Sequence, residues 1–341
     1  MNILTDQHHA DLLYGLQRLF EDRLGYNLFV PKGHAWWDAG YWQFGHAIAS
    51  DDRLARQYLD TNDTYREVEP GLFLTFDPGH PERPIYGVTL ERAQTMEWDA
   101  VLASVQENQA GLHRFAQERG ARSLYHIGNA RQQVDWSLDP LVLNAAEAPM
   151  EGRGVYIGQE FDYQTVFRAR KPIQSNRISS FVNLLSGIPE SWEPFVGLRD
   201  RLPEYEFRHY GHQAVQAAEP TGGNLHPVSA IALEMALAEW AYHSKPTGDG
   251  FGHIIMNWAA IGRPLIGHAR YYAGQRAEAL WQDGVTCIDL DRHSLDEAAD
   301  IIRNTTPERH EEMCRAIRTT LESIYDPAAD AEAVADLLRG A

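Results

Sequence analysis

The chain has 341 residues, and 48 acidic against 30 basic side chains give it a net charge of −18. That length suits two domains, while the acidic balance weighs against a broad duplex-binding face, which needs clustered Lys and Arg. Only Cys287 and Cys314 are cysteines, which excludes a disulfide scaffold and a Cys-based zinc site and fits a reducing compartment.

In chain order, "NILT" is a short strand, and its start has acid and histidine where a signal peptide needs a basic, then apolar, stretch. "HADLLYGLQRLFEDRLG" follows as a helix, with Leu12, Leu13, Leu16, Leu19, Phe20 and Leu24 on one stripe and Gly25 as its stop. "NLFVP" is a second strand. Trp36 to Pro84, rich in Asp, Gly, Pro and aromatics, is expected to be irregular with short helices. "WDAVLASV" and "SLYHIGN" are strands flanking the helix "QAGLHRFAQERG". Phe161 to Ser175 has little apolar periodicity and is the expected linker. A second series follows: "RISSFVN", "EFRHYG", "AYHSK", "RPLIG" and "VTCIDL" as strands, "SWEPFVGLRDRLPEY", "PVSAIALEMALAEW" and "RAEALWQDG" as helices, then a helical tail. No apolar run reaches roughly 18 residues, so no membrane span is expected.

Such alternation predicts an α/β protein of two Rossmann-like domains facing a cleft, with parallel sheets and crossover helices. Their expected bounds are 1–165, 166–325, and a terminal helix 326–341 that packs back on the first domain or mediates a dimer. Ligands in such sheets sit beyond the strand C-termini.

The stretch "KPTGDGFGHIIMNWAAIGRPLIG" (Lys245 to Gly267) is the most informative. Gly248, Gly250 and Gly252 precede a helix whose Ile254, Ile255, Trp258 and Ile261 share a side. Glycine allows close backbone approach, and a helix start offers free N–H groups to an anion. Lys245 just upstream can pair with a phosphate. A plain turn would need the same glycines.

This stretch resembles the C-terminal signature of GT-B-fold glycosyltransferases, above all the retaining kind with two glutamates eight residues apart. The resemblance implies a nucleotide-sugar donor, with a UDP-sugar expected, and no metal or other cofactor. By position the two glutamates become Asp249 and Asn257, both departures. The first would contact the donor sugar and the second the ribose hydroxyls. Gly250, Phe251, Gly252 and His253 complete the donor loop, and Lys245 holds phosphate. Arg177 loosely matches a diphosphate-holding position. Tyr210, Gly211 and His212 fall where the family binds the donor base, and His243 ends the strand before the loop. "LWQDGVTCIDL" and "VYIGQEFDYQTVF" are similar to a late family motif and to its inter-domain crossing. The start "ILTDQHHADLLYGLQRLFEDRLG" resembles loosely characterised glycosyltransferases of phages and bacteria. Some of these act on hydroxymethylated pyrimidines in DNA. That resemblance alone suggests a DNA acceptor and a bacterial or phage-infected cytoplasm.

On the acceptor side, Asp6, His8 and His9 follow the first strand. A histidine there suits proton transfer near neutrality, and Asp6 alternatively caps the helix. Ser104, Gln106, Glu107 and Asn108 end another strand, with Glu107 either positioning an acceptor hydroxyl or complementing a helix dipole. His126 and Asn129 end a third, and His126 alternatively belongs to the core. The pair Asp289 and Asp291 is expected to be solvated rather than metal-binding. "VFRARKPIQSNR" is a local basic patch that suits either a linker or DNA. A glycosyltransferase acting on a hydroxyl is the leading reading. A metabolite or glycan acceptor, a sugar-nucleotide hydrolase or epimerase, and a catalytically silent nucleotide-sugar binder stay open.

Overall fold

The computed structural model describes residues 1–6, 10–42, 66–76, 80, 82–128, 132–147, 149–211, 222–223, 225, 227–246 and 252–340. It comprises two compact units, Met1–Glu160 with Pro327–Ala341, and Phe161–Asp326.

In the first unit the strands are β1 (Asn2–Thr5), β2 (Asn27–Lys32), β3 (Arg66–Glu69), β4 (Leu72–Phe76), β5 (Pro84–Thr89), β6 (Ala100–Ala103), β7 (Arg122–Ile127), β8 (Leu141–Asn144) and β9 (Gly154–Tyr156). They form one sheet in the order β3-β4-β5-β2-β1-β6-β7-β8-β9. From β5 to β9 every pairing is parallel. The central strands are apolar on both faces, as a sheet covered on both sides requires: β6 and β8 are buried at every residue. Helices α1 (Ala10–Gln17), α2 (Ala35–Asp38), α3 (Leu90–Ala93) and α4 (Gln109–Arg119) lie between the strands. α1 runs on through Arg18–Arg23 as a π-helix. The buried carboxylate of Glu160 explains that segment's anchorage, since it takes both Arg18 and Arg23.

The region expected to be irregular supplies strands. β3 and β4 extend the parallel sheet with antiparallel pairing onto β5. Short strands spaced by Gly and Pro carry too little periodicity to stand out. β8 ("LVLN") and β9 ("GVY") also go beyond the elements expected from sequence, because both are only four and three residues long.

The second unit holds β10 (Arg177–Ser180), β11 (Glu206–His209), β12 (Trp240–Tyr242), β13 (Leu265–Gly267) and β14 (Cys287–Asp289), with helices α5 (Pro189–Arg201), α6 (Val228–Leu237), α7 (His253–Ile261), α8 (Leu295–Asn304) and α9 (Pro307–Ile324). The sheet is parallel throughout, in the order β11-β10-β12-β13-β14. Two features differ from the sequence expectation. "RAEALWQDG" forms a short 3₁₀ turn over Arg276–Leu280 rather than an α-helix. α7 is not one-sided: every residue from Ile255 to Ile261 is buried. α8 starts at Ser294 with a capping box closed by Glu297. A last helix, α10 (Pro327–Arg339), belongs to the first unit, burying Ala331, Val334 and Leu338 in the same core as Ile3 and Leu28.

Candidate functional site

Each sheet has a point where its central parallel strands reverse their order. In the first unit the reversal lies between β1 and β6, and in the second between β10 and β12. At such a switch point the crossover helices leave on opposite faces, so a crevice opens beyond the strand C-termini.

Asp6 leaves β1 at the first switch point and is 1% exposed. Its carboxylate accepts the N–H of Ser104 (2.6 Å), the N–H of Val105 (3.2 Å) and the Asn108 amide (2.7 Å). Burial pushes its pKa up from 3.8 to about 7, against the pull of those three donors. Asp6 is therefore a pin between the β1 and β6 ends, which leaves its oxygens committed within the protein. Asn108 is buried with it, while Gln106 and Glu107 are exposed on the same turn.

Sequence reasoning passed over Gln132. Its side-chain amide donates to the Ser104 carbonyl (2.6 Å), the His126 carbonyl (2.9 Å) and the Tyr125 hydroxyl (3.0 Å), and its oxygen accepts the Gly128 N–H (3.0 Å). The Ser104 peptide is thus held on one side by Asp6 and on the other by Gln132. His126 is 1% exposed within β7, so it sits in the core of this edge. His8, His9 and Asn129 lie outside the described residues.

At the second switch point β10 ends on Ser180, followed by buried Phe181 and Val182. β12 ends on Tyr242, followed by buried His243 and Ser244 and part-buried Lys245. Tyr210, just past β11, stacks on Phe181 at 4.5 Å and donates its hydroxyl to Glu234 (2.7 Å). α7 starts after Gly252, whose φ of 73° is the left-handed conformation that favours glycine. His253 opens the helix, part-buried. One turn on, Asn257 is 7% exposed, and its Oδ1 has no hydrogen-bond partner among the described residues. A buried amide oxygen left unpaired is costly, which makes it a candidate for a ligand hydroxyl. His212, Asp249, Gly250 and Phe251 lie outside the described residues.

Arg177 falls elsewhere. It opens β10, at the N-terminal edge of the sheet, and its guanidinium pairs with Glu206 (2.8 Å) and Glu234 (3.5 Å). The structure does not bring it to Lys245. Asp289 also departs from expectation, because it is buried and structural rather than solvated, while Asp291 is exposed as expected. Asp289 is 5% exposed and accepts the N–H groups of Ala269 (3.1 Å) and Asp291 (2.9 Å). Asp291 accepts the Arg270 N–H (2.9 Å) and meets the His268 imidazole at 2.8 Å. Among the described residues no group of three or more His, Cys, Asp or Glu is arranged to hold a metal. Nor is any helix there long and apolar enough to cross a membrane.

Two α/β sheets, parallel through their central strands and in these orders, make the fold GT-B-like, built of two Rossmann-like domains. The solved structures it resembles are GT-B glycosyltransferases. HepE of Anabaena, solved with UDP and glucose, is 12% identical with a TM-score of 0.63, over all of this chain and 99% of that one. Sucrose-phosphate synthase of Thermosynechococcus elongatus is 10% identical, with a TM-score of 0.65 over all of this chain and 98% of that one. The pneumococcal O-GlcNAc transferase GtfA, solved with UDP and GlcNAc, is 9% identical, with a TM-score of 0.61 over all of this chain and 99% of that one. No family model matches the chain, and no curated protein sequence does.

Proposed function

We propose that the chain is a glycosyltransferase that moves a sugar from a nucleotide-sugar, a UDP-sugar first among them, to a hydroxyl. The observation that carries the proposal is the end-to-end likeness to enzymes solved with UDP beside a sugar. The second unit's strand-end edge fits the donor. In this reading Lys245 and the amides at the α7 start take the pyrophosphate. Asn257 takes a ribose hydroxyl through its unpaired oxygen. Tyr210 and His243 line the base and ribose side, Gly252 and His253 border the phosphates, and Asp249, Gly250 and Phe251 face the sugar. The leaving diphosphate is then stabilised by fixed dipoles and charge, with no metal called for.

The first unit fits the acceptor. His8, His9, Gln106 and Glu107 are the candidate contacts, and Asp6, Asn108 and His126 hold their frame. The family resemblance makes retention of configuration the expected stereochemistry, which the anomeric proton of the product reads directly by NMR. A 5-hydroxymethylpyrimidine in DNA is the first acceptor to test. Arg168 and Lys171 are exposed and suit a phosphate backbone.

The test is UDP release from UDP-glucose with and without hydroxymethylated DNA, free sugars or glycans. Release that depends on an acceptor supports transfer. Binding without turnover under every acceptor would leave a silent binder. Absence of any UDP binding would remove the donor site and the proposal with it.

A further inference from the structure

We propose that His268, held by Asp291, is a second contact for the donor diphosphate, on the strand edge where Arg177 is absent. This deepens the donor-site reading above and rests on it. The β12–β13 register pairs Tyr242 with Ile266, which sets His268 level with Ser244 and one residue from Lys245. The two strand ends touch: a Cβ on Gly267 would lie 2.0 Å from the His243 carbonyl oxygen, so only glycine fits there. His268 therefore leaves the sheet beside the loop that carries Lys245.

The imidazole is placed rather than loose. Its Nδ1 lies 2.8 Å from Asp291 Oδ1, and the Tyr271 ring flanks it at 5.2 Å. Asp289, buried under both loops, holds the N–H groups of Ala269 and Asp291, which fixes the two backbones that carry the pair. The side chain is 12% exposed, so one edge of the ring reaches solvent. A carboxylate only accepts, so Nδ1 carries the proton and the exposed edge presents Nε2. Nε2 donates to a phosphate in the imidazolium form, in which the ring sits between the phosphate and Asp291. Arg270, also paired with Asp291 and 58% exposed, adds a second cation within reach of the same edge. The ring edge and the Arg270 guanidinium then offer hydrogen-bond donors to a diphosphate from one side. If the pair instead only staples the loop, its loss will not discriminate between ligands with and without phosphate.

The test is binding of UDP and of uridine to the full chain by ligand-observed NMR, with thermal melts to show that each variant is folded. His268→Ala is expected to weaken UDP about tenfold and to leave uridine unchanged. Asp291→Asn, which keeps an acceptor for the Arg270 N–H but loosens the imidazole, is expected to weaken UDP less, with the same selectivity. Equal losses for both ligands, or an unchanged UDP affinity in His268→Ala, would overturn the assignment. A wild-type chain that binds uridine and UDP alike would also overturn it while leaving a nucleoside site standing. A wild-type chain that binds neither removes the donor reading itself.

Discussion

At the scale of single residues, Asp6 and Arg263 make the sharpest claims. Asp6 has a carboxyl whose pKa rises from 3.8 to about 7 in the folded chain. The folded state then keeps a proton that the unfolded state has lost, so stability falls with rising pH. The contribution is fully present below about pH 4 and fades as pH passes through about 7. Across that window the Asp6 contribution should lower the wild type's urea midpoint relative to that of Asp6→Asn as pH rises. Equal slopes in both proteins would remove Asp6 from the account. Arg263 explains why the apolar run of α7 closes on Gly-Arg-Pro. Its guanidinium is fully buried and donates to the carbonyls of Ala236 (2.7 Å), Lys171 (3.2 Å) and Gly262 (3.2 Å). Two of these acceptors, Ala236 and Gly262, belong to the C-terminal ends of α6 and α7, where a cation complements the helix dipole. Arg263→Met should cost about 3 kcal/mol, since it leaves buried carbonyls unpaired. A thermal shift of less than about 1 °C would show that those carbonyls find other partners.

At the scale of elements, α7 joins fold and proposed site. Its apolar run was legible as a helix from spacing alone, with Gly252 at its start. Its burial on all sides was not, because it depends on α6 and α9 from distant sequence packing around it. Asn257→Ala should raise the UDP dissociation constant about tenfold, the worth of one lost hydrogen bond. An unchanged constant by calorimetry would mean that Asn257 serves packing alone. The same limit on legibility holds for the strand-end loops. Strand ends at Lys245 and Glu107 could be read from local pattern. The partner that makes Asp6 a pin lies about a hundred residues away at Ser104, and His268 meets Asp291 across a separate strand. Arg177 shows the converse: the family resemblance matched it loosely to a diphosphate-holding position, but it opens its strand and is paired with Glu206 and Glu234. At the α8 start, Ser294→Ala should cost about 1 kcal/mol by removing the capping box.

At the scale of the whole molecule, the two sheets carry the argument. Each has its own switch point and its own frame of buried polar groups, and α10 ties the chain's end to the unit that holds its start. The net charge of −18 opposes a DNA acceptor, so any DNA contact has to be local. If DNA is the acceptor, affinity should fall steeply with salt, and replacing Arg168 and Lys171 with alanine should lower the slope of log K against log salt by about 2. An unchanged slope would exclude the patch. The central claim is that the second unit's strand-end edge holds a nucleotide diphosphate. Hydrogen exchange of the full chain with and without UDP tests it most directly. Protection is expected at 180–183, 243–246 and 252–257, with the first unit unaltered. Protection confined to the first unit, or no protection at saturating UDP, would contradict the account.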